Sequence, residues 1–129
     1  MERVCISSNA QWESVVGYSR AVRVGPHVYV AGTTGIDEHG DVVGDASAQT
    51  VKALSIIEQA LAKAGARMTD VVRTRIFVTD ISQWEAIGRV HGEVFRGIRP
   101  AATMVEVRQL VKPEMLVEIE ADAFIEETR

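Results

Sequence analysis

The segment MLVEIEADAF, residues 115–124, restricts what this chain can fold into more than any other stretch. Extended backbone sends successive side chains to opposite sides. Val117, Ile119, Ala121 and Ala123 therefore share one face, and Glu118, Glu120 and Asp122 share the other. The apolar row needs a second layer over it, while the three carboxylates need water or cations, so the chain must build a sheet covered on one side only.

Two amphipathic helices are available as that cover. Val51, Leu54, Ile57, Leu61 and Ala64 recur at helical spacing over residues 48–64, Asp45 or Ser47 is placed to cap the start, and Gly65 stands where a left-handed C-cap sits. Ser82 with Glu85 reads as a capping box, and Trp84, Ile87, Val90, His91, Val94 and Phe95 continue as the second helix. Gly88 and Gly92 lie within it, each costing about 1 kcal/mol relative to Ala in an exposed helix. They answer either to close packing on the sheet or to room for a ligand or a neighbouring subunit.

The remaining strands follow the same period-two logic. AVRVGPHVYVAGTTG, residues 21–35, predicts a hairpin turning at Gly25-Pro26, and DEHGDVVGD, residues 37–45, a surface loop. VVRTRIFVTD, residues 71–80, puts Val72, Thr74, Ile76 and Val78 on one face and Arg73, Arg75 and Phe77 on the other. TMVEVRQL, residues 103–110, precedes the acidic strand across a connection containing Pro113. The predicted order is β-β-α-β-α-β-β, an α+β sandwich with two helices on one face of the sheet; whether residues 4–7 add a strand is left open. A polar open face of this kind is often buried by self-association.

Composition narrows the function. The 129 residues suffice for a single domain, residues 1–129, with one core. No apolar run approaches the ~20 residues of a bilayer crossing, and the N-terminus carries no signal-like pattern, so a soluble, cytoplasmic protein without a membrane partner is expected. One cysteine, Cys5, reads as an inert strand residue, and the three histidines lack zinc spacing; no metal and no cofactor are expected. A net charge of −4 with dispersed basic residues argues against nucleic acid.

Residues 99–124 carry a resemblance. Pro100, Ala101, Ala102, Thr103, Val105 and Leu110, followed by Val117, Glu118, Ile119, Glu120 and Ala121, resemble the signature of the reactive intermediate deaminase (RidA, YjgF) family, with Ala102 where the signature has Arg. VYVAGTTG and VVRTRIFVTDISQW are similar to its other strands, so the likeness spans residues 18–125. It implies a chorismate-mutase-like fold with a mixed sheet, assembled as a homotrimer with small-molecule clefts between subunits. It also implies hydrolysis of 2-imino or enamine acids to a 2-keto acid and ammonia.

By the same resemblance, Tyr18 matches the pocket tyrosine, Gly32 a backbone donor, and Glu118 the carboxylate that positions water. Ala102 replaces the carboxylate-binding Arg, Met104 a common Cys, Ala31 a common Ser and Gly88 a frequent Asn. A charge-assisted bond to a carboxylate contributes about 1.5–3 kcal/mol, so the usual 2-imino acid substrate is disfavoured. Arg20, two residues beyond Tyr18, is the candidate substitute cation.

Structural alternatives stand beside these roles. Glu118 and Glu120 could pair with Arg73 and Arg75, Tyr18 could be an interface aromatic, and Met104 reads as core or pocket wall. His91 reads as a packed, hydrogen-bonded histidine. The expected function is a hydrolase of a small imine or enamine. The alternative is a non-catalytic binder of a small metabolite, and an endoribonuclease ranks third because the chain is acidic and lacks a basic aromatic face.

Overall fold

The computed structural model describes residues 1–126. Its elements are β1 (Arg3–Ile6), α1 (Gln11–Val16), β2 (Ala21–Val24), β3 (His27–Thr34), α2 (Ala46–Lys63), β4 (Val71–Val78), α3 (Trp84–Phe95), β5 (Ala101–Glu106) and β6 (Val117–Phe124). The strands make one sheet in the order β1-β2-β3-β6-β4-β5. β4 and β5 run parallel and the other neighbours antiparallel, so the sheet is mixed.

The acidic strand, β6, lies inside the sheet between β3 and β4, and its alternation is as expected: Val117, Ile119, Ala121 and Ala123 are buried, while Glu118, Glu120 and Asp122 are only partly covered. The buried row joins Val28 and Val30 of β3, Ile76 and Val78 of β4, Leu54, Ile57 and Leu61 of α2, and Ile87 and Phe95 of α3 in one core cluster. Two helices thus cover one face. β2 and β3 are joined by a two-residue turn in which Gly25 has φ +61° and Val24 pairs with His27. Gly in the first of two turn positions, followed by Pro with its fixed negative φ, suits the right-handed twist of a hairpin. Asp45 caps α2 by accepting from the Ala48 N–H at 2.9 Å, and Gly65 turns the chain out of it with φ +85°.

Several local expectations differ. A register shift between Val71 and Arg73 bulges β4 against β6, which turns Val71 into the core and leaves Val72 exposed, the reverse of a strict alternation. Val51 is 57% exposed, because α3 packs along α2 without covering that turn. The start of α3 is not the Ser82–Glu85 box: Asp80 accepts from the Ser82 N–H at 3.0 Å and its hydroxyl at 2.6 Å, and a 3-10 turn over Ile81–Gln83 leads in. Residues 3–6 do form a strand, pairing with β2. The short α1 was not visible as a pattern. It is held by Glu13, whose carboxylate accepts from the Ser8 N–H, the Ser8 hydroxyl and the Ala10 N–H at 3.1, 2.7 and 3.2 Å.

Candidate functional site

The residues singled out in the sequence fall into two groups, and the sheet separates them. The first surrounds Glu118. Gly17, with φ +87°, ends α1 and brings Tyr18 back toward β2. Next in line, Arg20 is 7% exposed and engaged at both terminal nitrogens: Nη1 donates to the Gly32 carbonyl at 2.7 Å and to the Thr33 hydroxyl at 2.9 Å, and Nη2 donates to the Tyr18 hydroxyl at 3.1 Å. The guanidinium also lies 5.3 Å from the centre of the Tyr18 ring.

Those carbonyls are presented by an irregularity in β3. Val30 pairs with Ala121 and Thr33 with Ile119, so Ala31 and Gly32 together face a single residue of β6. The Thr33 hydroxyl bridges the irregularity by donating to the Ala31 carbonyl at 2.8 Å, and the Ala31 N–H donates to the Arg20 carbonyl at 2.9 Å. Gly32 then backs directly onto Glu118. A β-carbon at that position would come within 2.9 Å of the Glu118 carboxyl carbon and closer still to Oε2, so glycine leaves the room the carboxyl occupies.

Glu118 itself is partly buried, and burial pushes its carboxyl above the usual range; Arg20 opposes the rise and Glu120 adds to it. Arg75 pairs with Glu120 at 3.2 Å and with Asp122 at 3.3 Å, so the other two acids of β6 share one cation across the strands. Glu120 thus takes the structural role, and Glu118 is the carboxyl of the three that has no such partner in β4 among the described contacts.

The second group lies at the other end of the sheet. Ala102 and Met104 of β5 pair with Thr74 and Ile76 of β4, which are buried toward the helices, so both face the helix side. Met104 packs on the core as wall filler, and Ala102 is exposed because β5 is the edge strand. Gly88 and Gly92 lie on α3, and apart from their chain neighbours and their own helix backbone nothing lies within 4 Å of a β-carbon built on either, which removes close packing on the sheet as their explanation within one chain. Between them sits a pair the sequence did not reveal: the His91 Nε2 and the Thr74 Oγ1 are 2.9 Å apart. Burial lowers the His91 pKa, which favours the neutral ring, and the ring rests against Phe95 with centroids 4.6 Å apart.

Glu118 and Ala102 are therefore two strands apart, about 10 Å across the sheet, offset by three residues, about another 10 Å, along it, and on opposite faces. They cannot line one cavity in a single chain. A narrow crevice beside Ile6, Ser8, Ile56 and Gln59, and a shallow groove between α2 and α3 at Val51, Met68, Val90 and Val94, both exclude Glu118 and Ala102. Among the described residues no cluster of His, Cys, Asp and Glu could hold a metal ion, and no helix is long and apolar enough to cross a membrane.

Comparison with known proteins identifies relatives of the chain and of its fold. Residues 8–125 match the family model described as endoribonuclease L-PSP. The chain is 41% identical over 110 residues to the 3-aminoacrylate deaminase RutC of Acinetobacter baylyi, covering 84% of this chain and 86% of that one. An uncharacterised protein of Streptomyces coelicolor is 34% identical over 122 residues, covering 92% and 90%. The crystal structure of a Mycobacterium tuberculosis protein, described as a member of the YjgF family, superposes with a TM-score of 0.89 at 56% identity, covering 96% of this chain and all of that one. The sheet order, the carboxyl-bearing central strand and these matches make the chain a member of the RidA/YjgF family, the endoribonuclease L-PSP group.

Proposed function

We propose that the chain acts as a homotrimer whose clefts each combine Tyr18, Gly32 and Glu118 of one copy with Gly88, Ala102 and Met104 of the next, and that it hydrolyses a small imine or enamine there. The observation that carries this reading is the separation of the two groups onto opposite faces: a shared cleft requires a second copy. β5 is an unpaired edge, and Tyr29, Val72, Val105 and Phe124 are exposed apolar side chains, both of which association would cover.

Glu118 supplies the chemistry. A carboxyl raised by burial can take a proton from water as it adds to the C=N carbon and return it to nitrogen. The hydroxyl proton of the adduct passes by the same carboxylate to nitrogen as the C–N bond breaks, ammonia leaves, and the carbon is left as a carbonyl; an enamine first takes a proton on carbon to become the imine. The deaminase name of the Acinetobacter relative supports the reaction class. Ala102 contributes no cation, so the ligand favoured is one without a carboxylate at that end.

The loss of polar atoms at Ala31, Gly88 and Ala102 favours a second reading, a cleft that binds a small metabolite without turnover. Imines generated in situ by an amino-acid oxidase, with and without a carboxylate, separate the two. Deamination above background that Glu118→Ala abolishes supports the enzyme; thermal protection without deamination supports the binder. A monomer by light scattering overturns both. Ribonuclease activity is disfavoured by the net charge of −4.

A further inference from the structure

We infer that Arg20 is a positioning residue for this cleft, holding the Tyr18 phenol and the Ala31–Gly32 irregularity of β3 beside Glu118, and not the cation that grips the ligand. This rests on Glu118 and Tyr18 forming the polar half of the cleft, as proposed above.

The first reason is the use of its donors. A bidentate grip on a carboxylate needs two adjacent N–H groups free to point the same way. In Arg20, Nη1 is committed to the Gly32 carbonyl at 2.7 Å and the Thr33 hydroxyl at 2.9 Å, and Nη2 to the Tyr18 oxygen at 3.1 Å, so the Nη1–Nη2 end of the fork is taken. Turning the guanidinium toward a ligand would strand the Gly32 carbonyl and the phenol together. Burial to 7% exposure also leaves it little surface to offer.

The second reason is what those bonds impose. Because the Tyr18 oxygen accepts from Arg20, its own O–H is free to donate outward. Because the Gly32 carbonyl is held by Nη1, the α-carbon of Gly32 stays against the Glu118 carboxyl. One side chain thus sets a phenol donor and a carboxyl acceptor side by side. That pair suits an uncharged ligand end carrying one acceptor and one N–H, such as an imine or enamine nitrogen with a neighbouring carbonyl.

The third reason is charge. Arg20 and Glu120 act directly on Glu118; Asp122 of its own strand and Arg73 and Arg75 of β4 lie further along the same face, and Tyr18 is tied to Arg20. Arg75 is taken up by Glu120 and Asp122. Arg20 is the group that works against burial to keep Glu118 ionisable.

The test is an NMR titration of the Glu118 carboxyl in full-length protein labelled at glutamate side-chain carbons, assigned with Glu118→Gln, alongside backbone spectra. Arg20→Gln is expected to raise the Glu118 titration midpoint, and Arg20→Lys to leave it near that of the parent while displacing the Gly32 amide and Tyr18 resonances, because an ammonium cannot reach both partners in the same plane. An unchanged midpoint in folded Arg20→Gln overturns the inference. Should Arg20→Gln not fold, unmoved Gly32 and Tyr18 resonances in Arg20→Lys overturn it equally. Neither readout needs turnover, so failure to find a deaminated substrate would count against the proposed reaction and leave this result standing.

Discussion

The Glu118 carboxyl occupies the space that a side chain on Gly32 would fill. Gly32→Ala must therefore displace it. The obstructing atoms are the free end of a flexible side chain, so the cost to folding is expected to stay within about 1 kcal/mol. Misplacing a reacting group by an ångström costs on the order of 100-fold in rate, and the same loss is expected here in turnover of whichever imine the parent deaminates. Urea unfolding and the imine assay on one preparation check both halves. Parent-like turnover in Gly32→Ala would remove Glu118 from the chemistry.

Glu118 also leaves a mark on stability. Its folded pKa is raised by burial above the ordinary value of 4.5. The proton-bound form favours the fold below the unfolded pKa, and that contribution is lost as pH rises through the folded value. Glu118→Gln keeps the side chain uncharged throughout. Its melting temperature relative to the parent should therefore be higher at pH 7 than at pH 4, by scanning calorimetry. A difference that does not change with pH contradicts the assignment.

Thr74 is 1% exposed and its hydroxyl meets His91 at 2.9 Å. Removing either partner strands the other, at about 1–3 kcal/mol, whereas Thr74→Val with His91→Phe should cost less than the sum of the two. The sign with pH is opposite to that of Glu118. Burial lowers the His91 pKa from 6.5, so its contribution is present above that value and is lost as pH falls through it toward the folded pKa. Urea midpoints at pH 7.5 and 5.5 should converge for His91→Phe relative to the parent.

Gln49 predicts the largest change in stability. It is 1% exposed and ties two loops, its amide donating to the Gly44 and Glu114 carbonyls at 3.1 and 3.0 Å and its oxygen accepting from the Leu116 N–H at 2.8 Å. Gln49→Leu leaves these backbone groups unpaired and is expected to cost about 2–4 kcal/mol, a fall in melting temperature on the order of 10 °C.

Much of this fold is written in side-chain periodicity. The alternation of β6, the apolar stripe of α2 from Leu54 onward, and the caps at Asp45 and Gly65 are local signals, and each stands where the pattern puts it. What escaped depends on partners remote in sequence. Val72 is turned outward by a bulge against β6 that its own strand does not announce. α1 spans six residues, too few for a helical period to register. Tyr18, Arg20, Gly32 and Glu118 are all legible as residue types, yet their meeting depends on how β3 registers with β6 across an irregularity. The division of the candidate site between two faces follows from the parallel pairing of β4 with β5, which fixes where Ala102 points.

That division has a consequence for inheritance of damage. In the trimer proposed above, a subunit spoiled at Glu118 and another spoiled at Gly88 would each still carry the half that the other lacks, so a mixed assembly would contain one sound cleft where either pure assembly has none. Defects in a protein built this way are traits of the company a chain keeps, and two broken copies can mend each other.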